Sequence, residues 1–439
     1  MKYHIWTEGC QMNVSDSLRV ASALEQLGYT HTRSADEADV IVLNTCVVRQ
    51  SAEDKAIGRL SSLKKVKNNN PDVVINLMGC LVGTGDYSHL KQRFPYVDVF
   101  SSPSDPAPIV HYLADNARDM TSKHRKSAQK ILLEMNRYRL PSEQQGKLVP
   151  AFVPIVYGCS YACSYCIIPL RRGRERSRPP DVILEEVQSL VDQGVKEVTL
   201  LGQIVNRYGM DQPGLPSLTE LIKLIHPIEG LERIRFLTSH PNWIDDGLLE
   251  IVASLPKVMP HFELPVQAGD NVVLNHMRRG YTVEKFMELV LRIRSIFKDA
   301  SIITDLIVGF PGESNAQFKN TLKLLDELQP DMTHVARYSP RPGTYAAENL
   351  TDSVTPEEKM RRFREIEKIQ KRISTKINQR YLGQQVSVLF EDKHKMRWRG
   401  RTPTNKLVFL ENERNLRGKV LPVEITWTGP WSMIGSLAR

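Results

Sequence analysis

Long apolar runs are missing from this chain. No stretch reaches the roughly 18 residues that a membrane-spanning helix needs, so no membrane partner is expected. The first ten residues, MKYHIWTEGC, hold too short an apolar segment for a secretory signal and turn polar at once. A cytoplasmic location is therefore expected. Cysteine is scarce, with six in 439 residues. An even count would allow three disulfides, but a reducing compartment argues against them and leaves metal binding or catalysis as the use for these thiols. Acidic excess is also absent. Lys and Arg number 59 against 50 Asp and Glu, a net charge of +9. Such a surplus favours an anionic partner, nucleic acid first; on charge alone a moderately basic enzyme with no such partner weighs as much.

What is present falls into three parts. In residues 1–118, three segments read as buried strands: YHIWT (3–7), VIVLNT (40–45) and VVINLM (73–78). VDVF (97–100) is a fourth candidate. Between them lie helical patterns. Val14, Leu18, Ala21, Leu24 and Leu27 share a face that Gly28 ends, and a second helix starts near Ser51 as N-cap. This alternation predicts an open parallel α/β domain. Residues 118–145 read as a charged connector. Residues 145–375 hold about six further βα units, which predicts a complete or partial (βα) barrel with active-site residues at the C-terminal ends of its strands. After a long charged helix, residues 376–439 break into short strands, the pattern of a small all-β barrel.

The cysteines form two groups of three. Cys159, Cys163 and Cys166 lie within the nine residues GCSYACSYC, after the first barrel strand. Three thiolates suit three corners of an iron–sulfur cubane and leave one iron open, the mark of a catalytic rather than a closed centre. A zinc site completed by a distant His, or a ferredoxin-like cluster completed elsewhere, is the competing reading. Cys10, Cys46 and Cys80 are far apart in sequence, yet each follows a predicted parallel strand. Parallel strands end on one edge, in the crevice where such folds bind ligands. Gly9 and Gly79 each precede one of these cysteines and permit close backbone approach. Three buried, inert cysteines are the alternative.

The CxxxCxxC loop, with Tyr165 before its last cysteine, resembles the radical S-adenosylmethionine (SAM) superfamily. Both triads together resemble the methylthiotransferase family within it, over essentially the whole chain. The resemblance rests on TEGCQMN (7–13), LNTCVVR (43–49), MGC (78–80), GCSYACSYCIIPLRRGRERSRP (158–179) and LLGQIVNRYG (200–209). It extends through LTSHP (237–241), LPVQAGD (264–270), LIVGFPGES (306–314) and YSPRPGT (338–344). GCQMN and NTCVVR are most similar to the branch that modifies isopentenyl-adenosine in tRNA. The ribosomal-protein branch has Pro-Lys-Asn after its first cysteine, whereas Gln11, Met12 and Asn13 stand here. Ile204 departs from the Asn usual after LGQ in this branch, which weakens the assignment of Gln203 beside it.

The resemblance implies two 4Fe-4S clusters, one on Cys159, Cys163 and Cys166 with SAM on its open iron, the other on Cys10, Cys46 and Cys80 as sulfur source. It implies radical cleavage of SAM, hydrogen abstraction from carbon 2 of the adenine, and a second SAM as methyl donor. It further implies a flavodoxin- or ferredoxin-type electron donor, a tRNA substrate, a monomer, and a TRAM-type RNA-binding barrel at the C-terminus. Tyr165, Gln203, Asp305 and Glu313 are expected at the SAM pocket. Arg171 and Arg172, within RRGRERSRP, are expected to grip phosphates or the SAM carboxylate. Lys393, Lys395, Arg397, Trp398, Arg399 and Arg401 alternate basic and aromatic residues, as suits an RNA surface. The competing substrates are threonylcarbamoyl-adenosine in tRNA and an aspartate of a ribosomal protein. An electron-transfer iron–sulfur protein and an RNA-binding module with purely structural metal sites are the readings from other classes.

Overall fold

The computed structural model describes residues 1–116, 130–132 and 138–438. Much of the expected connector therefore lies outside the described residues. The first part runs β1 (Lys2–Thr7), α1 (Gln11–Gln26), β2 (Thr30–His31), β3 (Val40–Thr45), α2 (Gln50–Asn69), β4 (Val74–Gly79), α3 (Ser88–Arg93), β5 (Val99–Ser101) and α4 (Ala107–Asp115). Its strands form one parallel sheet in the order β2-β1-β3-β4-β5. Residues of β3 alternate between two apolar layers. Ile41 and Leu43 pack with Leu60 and Leu63 of α2. Val40 and Val42 pack with Val20 and Leu24 of α1 and with Ile109 and Leu113 of α4. Burial on both faces is why VIVLNT is almost unbroken in its hydrophobicity.

Helix α1 differs from its sequence pattern in an informative way. Ala21 and Leu24 are buried as expected, but Val14 is 40% exposed, and Asn13, Asp16, Ser17 and Arg19 on the polar face are buried. That face is covered by the neighbouring part of the chain and by the cysteine-bearing turns, so polar partners replace water there. Helix α2 begins at Gln50, with Arg49 as N-cap and no side-chain cap. Ser51, the expected cap, already lies inside the helix.

The second part contains β6 (Pro150–Pro154), β7 (Val156–Tyr157), α5 (Ile168–Arg172), β8 (Arg176–Ser177), α6 (Pro180–Asp192), β9 (Glu197–Leu201), α7 (Leu218–Ile225) and β10 (Arg233–Phe236). It continues through α8 (Asp246–Ser254), β11 (His261–Glu263), α9 (Asn271–His276), α10 (Val283–Ile296), β12 (Ser301–Val308), α11 (Asn315–Leu328) and β13 (Met332–Arg337). Helices α12 (Tyr345–Asn349) and α13 (Pro356–Gln379) close it. Six parallel strands make two arcs, β10-β9-β6 and β11-β12-β13. A parallel bridge from Ile234 to Val258 links the arcs. No pairing of β6 with β13 occurs among the described residues, so the barrel is partial. One large apolar core, from Tyr138 to Ile366, fills it and the ring of helices around it.

The third part is a closed antiparallel-rich barrel of β14 (Gln385–His394), β15 (Arg397–Arg401), β16 (Leu407–Glu411), β17 (Val420–Thr428) and β18 (Met433–Leu437), ordered β14-β15-β16-β18-β17. It docks at the N-terminal ends of the large barrel's strands. Arg235 donates to the carbonyls of Pro403 and Thr402 at 2.7 and 2.9 Å, Arg233 to that of Arg401 at 2.7 Å, and Lys406 pairs with Asp331 at 2.6 Å.

The first and second parts are joined through a buried ion triad. Glu186 of α6, fully buried, is paired with Arg19 of α1 and with Arg178, the latter at 2.6 Å. Arg19 also lies over the Tyr138 ring, 5.1 Å from its centroid. A second clasp is Arg341, which donates to the carbonyl of Val47 at 3.2 Å and pairs with Glu53 at 2.5 Å.

Candidate functional site

The N-terminal triad sits where the strand order reverses. From β1 the chain runs outward to β2 and then back to β3 on the other side, so the β1/β3 junction is the crevice of this sheet. Cys10 follows β1, Cys46 follows β3 and Cys80 follows β4. Their proximity is visible in the glycines beside them. A Cβ on Gly9 (φ +141°) would lie 2.8 Å from the Cys46 Cβ, and one on Gly79 (φ +99°) would lie 2.5 Å from the Thr45 carbonyl oxygen. The turns are held by amides. Asn13 donates to Asn44 Oδ1 and the Thr45 carbonyl, both at 2.9 Å, and Asn44 donates back to the Asn13 carbonyl at 2.9 Å. Asn13 stands in the quoted GCQMN, yet its role depended on a cross-strand partner that the sequence does not name.

The second triad sits on a loop closed at its base by the antiparallel pair β7–β8. Gly158 (φ +69°) is compulsory there, since a Cβ would lie 2.2 Å from the Arg174 carbonyl. Cys159 N–H donates to Gly173 at 3.1 Å, and Ser164 is tied to the Met277 and His276 carbonyls at 3.1 and 2.7 Å. Arg279, buried, donates to Cys163 Sγ at 3.1 Å and to the Pro265 carbonyl at 3.0 Å. Tyr161 packs edge-on against His240 and Trp243 beside the loop, and His240 lies tilted against Trp243, the Tyr161–His240 and His240–Trp243 centroids both 4.7 Å apart. Burial, reinforced by Arg279 and Arg207, drives His240 down to about 2, so its ring is neutral. Ile204 is buried against Cys159 and Ile168, so the departure noted above is an apolar contact with the cysteine loop.

Both donor sets fit an iron–sulfur cluster. Each is all-thiol and three-membered. Among the described residues no group of three or more His, Cys, Asp or Glu is gathered to hold a single metal ion, the triads included; the thiols of each triad are nonetheless near enough to repel one another. Burial, with repulsion from neighbouring thiols, pushes Cys46 and Cys166 up to about 12 and Cys159 to about 11. Burial also raises Cys80, against the pull of Arg172. Such thiols ionise readily only when cationic iron shares the site.

The expected SAM-pocket residues fall at the same end of the barrel, in different circumstances. Tyr165 is half-buried, its ring 6.4 Å from that of Phe310. Gln203 is half-buried just past β9. Asp305 lies on β12 and faces Glu263 of β11, with His334, Arg49 and Arg279 opposing its burial. Burial and Asp305 push Glu263 up to about 8. Glu313 is 3% exposed; it accepts from the Gly309 N–H at 2.6 Å and pairs with Arg362 at 2.8 Å, so its carboxylate is already engaged. Glu263 was not anticipated; it sits in HFELPVQ without a local signal. Its raised value carries a prediction. The protonated form is favoured in the fold, so its contribution to stability is full below about 4.5 and is lost as pH rises through about 8. Glu263→Gln is expected to lose less thermal stability than the parent between pH 6 and pH 9, measured by melting curves. Parallel losses in both proteins would contradict it.

Two expected RNA contacts are corrected by burial. Arg172 is 8% exposed and reaches Cys80 instead of the surface. Trp398 is 5% exposed and packs with Val388, Phe390 and Leu410 inside the small barrel, because β15 turns it inward. It has no free face on which a base could stack. The exposed indoles are Trp427 and Trp431, about half exposed each. Arg171 is half-buried. Lys393, Lys395 and Arg397 are exposed. Arg397 pairs with Glu411 at 2.8 Å, Arg399 with Asp392 at 2.7 Å and Arg401 with Glu391 at 3.2 Å, so much of this positive charge is internally balanced.

Three stretches of the chain match known families. Residues 153–325 match the radical SAM superfamily, residues 2–102 the uncharacterized protein family UPF0004, and residues 379–438 the TRAM domain. The chain is 46% identical, over its full length and 90% of the other's, to the tRNA-2-methylthio-N(6)-dimethylallyladenosine synthase of Roseiflexus sp. (strain RS-1). The chain belongs to the tRNA-2-methylthio-N(6)-dimethylallyladenosine synthase family. The synthase of Herpetosiphon aurantiacus is likewise 46% identical, across 99% of this chain and 97% of that one. That of Dictyoglomus thermophilum is 42% identical across 100% and 99%. Among solved structures, the radical SAM methyltransferase TsrM from Kitasatospora setae superposes with a TM-score of 0.54, covering 79% of this chain and 76% of that one. At 13% identity that similarity concerns the fold alone. The TRAM match, residues 379–438, falls on the closed barrel β14–β18.

Proposed function

We propose that this chain is a tRNA methylthiotransferase that places a methylthio group on carbon 2 of N(6)-dimethylallyladenosine next to the anticodon. The observation that carries the reading is the presence of two all-cysteine triads, each at C-terminal strand ends, with α5 running from one to the other. Helix α5, about 7.5 Å long, starts two residues after Cys166 and ends at Arg172, which touches Cys80. The relatives' names supply the substrate, and the TRAM-type barrel suits an RNA partner. When bound, a 4Fe-4S cluster and SAM at Cys159, Cys163 and Cys166 would supply a deoxyadenosyl radical for the unactivated C–H bond, with sulfur from a cluster on Cys10, Cys46 and Cys80 and the methyl group from a second SAM.

The protein's own residues bind, orient and exclude water. Arg279 holds Cys163, and the Tyr161–His240–Trp243 wall dries the loop. Tyr165, Gln203 and Asp305 line the SAM side of the barrel mouth in this reading, while Glu313 acts there only through Gly309 and Arg362. The small barrel docks at the opposite end of the strands from the cysteines, so an RNA that touches both must run along the barrel's flank. Lys393, Lys395, Arg397, Arg399 and Arg401 remain proposed contacts there, and Arg171 nearer the loop. The boundaries 1–118, 145–375 and 376–439, a monomer, a cytoplasmic location and a flavodoxin- or ferredoxin-type donor belong to the same proposal; among the described residues no helix is long and apolar enough to cross a membrane. Mass spectrometry of tRNA nucleosides from a strain lacking this gene tests the substrate. Loss of 2-methylthio-N(6)-dimethylallyladenosine, with the unthiolated nucleoside accumulating, is expected. Normal levels of it, or loss of a methylthiolated threonylcarbamoyl-adenosine instead, would contradict the assignment.

A further inference from the structure

Arg172 belongs to the second part of the chain but serves the first. It is the last residue of α5, which starts two residues after Cys166. Its side chain is 3% exposed. Nε donates to Cys80 Sγ at 3.2 Å, Nη1 to Ser104 Oγ at 3.3 Å and Nη2 to Asn13 Oδ1 at 3.5 Å. Its counter-ion is Asp16, whose fully buried carboxylate lies 3.8 Å from Nη2. A guanidinium stripped of water thus spends its fork on a cysteine sulfur and on the amide that braces the Cys10 and Cys46 turns. Arg178 and Arg341 spend their forks on carboxylates and carbonyls; Arg172 has a carboxylate as well, but its shortest contact is with a thiol. Contact with a thiol is a different arrangement.

We propose that Arg172 is a positioning residue for the sulfur-donor site, and that its N–H to sulfur contact and positive charge raise the reduction potential of the cluster held by Cys10, Cys46 and Cys80. Hydrogen bonds to ligand sulfurs and nearby charge are established levers on such potentials. A reduced cluster carries one more negative charge, and a dry cation beside it stabilises that state. Because Arg172 is carried by the helix that follows the other cysteine loop, the potential of one centre is tied to correct docking of the domain that holds the other. Asp16 has the reverse influence, since its carboxylate offsets the guanidinium. The proposal rests on the reading that this triad holds a cluster.

The test is a redox titration, followed by EPR, of reconstituted full-length protein in which Cys159, Cys163 and Cys166 are all alanine, leaving a single centre. Arg172→Gln is expected to lower the midpoint by at least a tenfold change in the reduced-to-oxidised ratio at fixed potential, about 59 mV for one electron. Arg172→Lys is expected to fall in between, since it keeps the charge and loses the fork. Asp16→Asn is expected to shift the midpoint upward, and it provides the readout should Arg172→Gln not load iron. Midpoints equal to the parent's in the variants that load would overturn the proposal. A parent that loads no iron at this triad would instead overturn the functional reading beneath it.

Discussion

Cys46→Ala is expected to abolish methylthiolation and leave SAM cleavage intact. Reconstituted variant should hold half the parent's iron and sulfide, still release 5′-deoxyadenosine under dithionite, and form methylthiolated product at a rate lower by roughly 100-fold or more. Even outer-shell partners of metal ligands reach 10–100-fold when lost, and Cys46 is one of the three donors proposed for its site. The separation of effects follows from the fold. Cys46 lies on the β3 turn of the first sheet, whereas Cys159, Cys163 and Cys166 lie on the β7–β8 loop of the barrel and owe their geometry to Gly158, Ser164 and Arg279. Cys163→Ala is the converse variant and is expected to lose 5′-deoxyadenosine altogether. Equal loss of both products in Cys46→Ala would mean that the triads are not separate centres.

Glu186→Ala is expected to have the largest effect on stability. Glu186 is fully buried and neutralises two arginines from different parts of the chain, Arg19 and Arg178. Those cations hold its pKa below the usual carboxylate value despite complete burial. Removing it leaves two desolvated cations facing each other. Breaking a buried pair in this way costs about 3–5 kcal/mol. Denaturant melts of metal-free parent and variant should show that loss. Glu186→Gln should lose less, because an amide still accepts hydrogen bonds. A change below about 1 kcal/mol would mean that water reaches the triad.

Sequence periodicity carried the sheet and barrel well where packing was apolar. VIVLNT is β3 residue for residue, and LTELIKLI is α7. The cysteines were legible because strand ends in a parallel sheet share an edge. What escaped was decided by contacts between distant segments. The pattern of α1 marked only its apolar face, and the polar residues opposite are buried, Ser15 and Arg19 against the second part of the chain. RRGRERSRP resembled a phosphate-binding run, yet Arg172 and Arg178 point inward to a sulfur and a carboxylate. Trp398 resembled a stacking platform because alternation tells two faces apart without saying which is inside. Glu263 and Arg279 carry no local signature and acquire their roles from β12 and the cysteine loop.

The central claim is chemical, and one assay tests it directly. Reconstituted parent protein is incubated without oxygen with SAM, reductant and tRNA bearing N(6)-dimethylallyladenosine, and the digested nucleosides are analysed by mass spectrometry. The account predicts 2-methylthio-N(6)-dimethylallyladenosine together with 5′-deoxyadenosine. Abundant 5′-deoxyadenosine with wholly unmodified tRNA would contradict it.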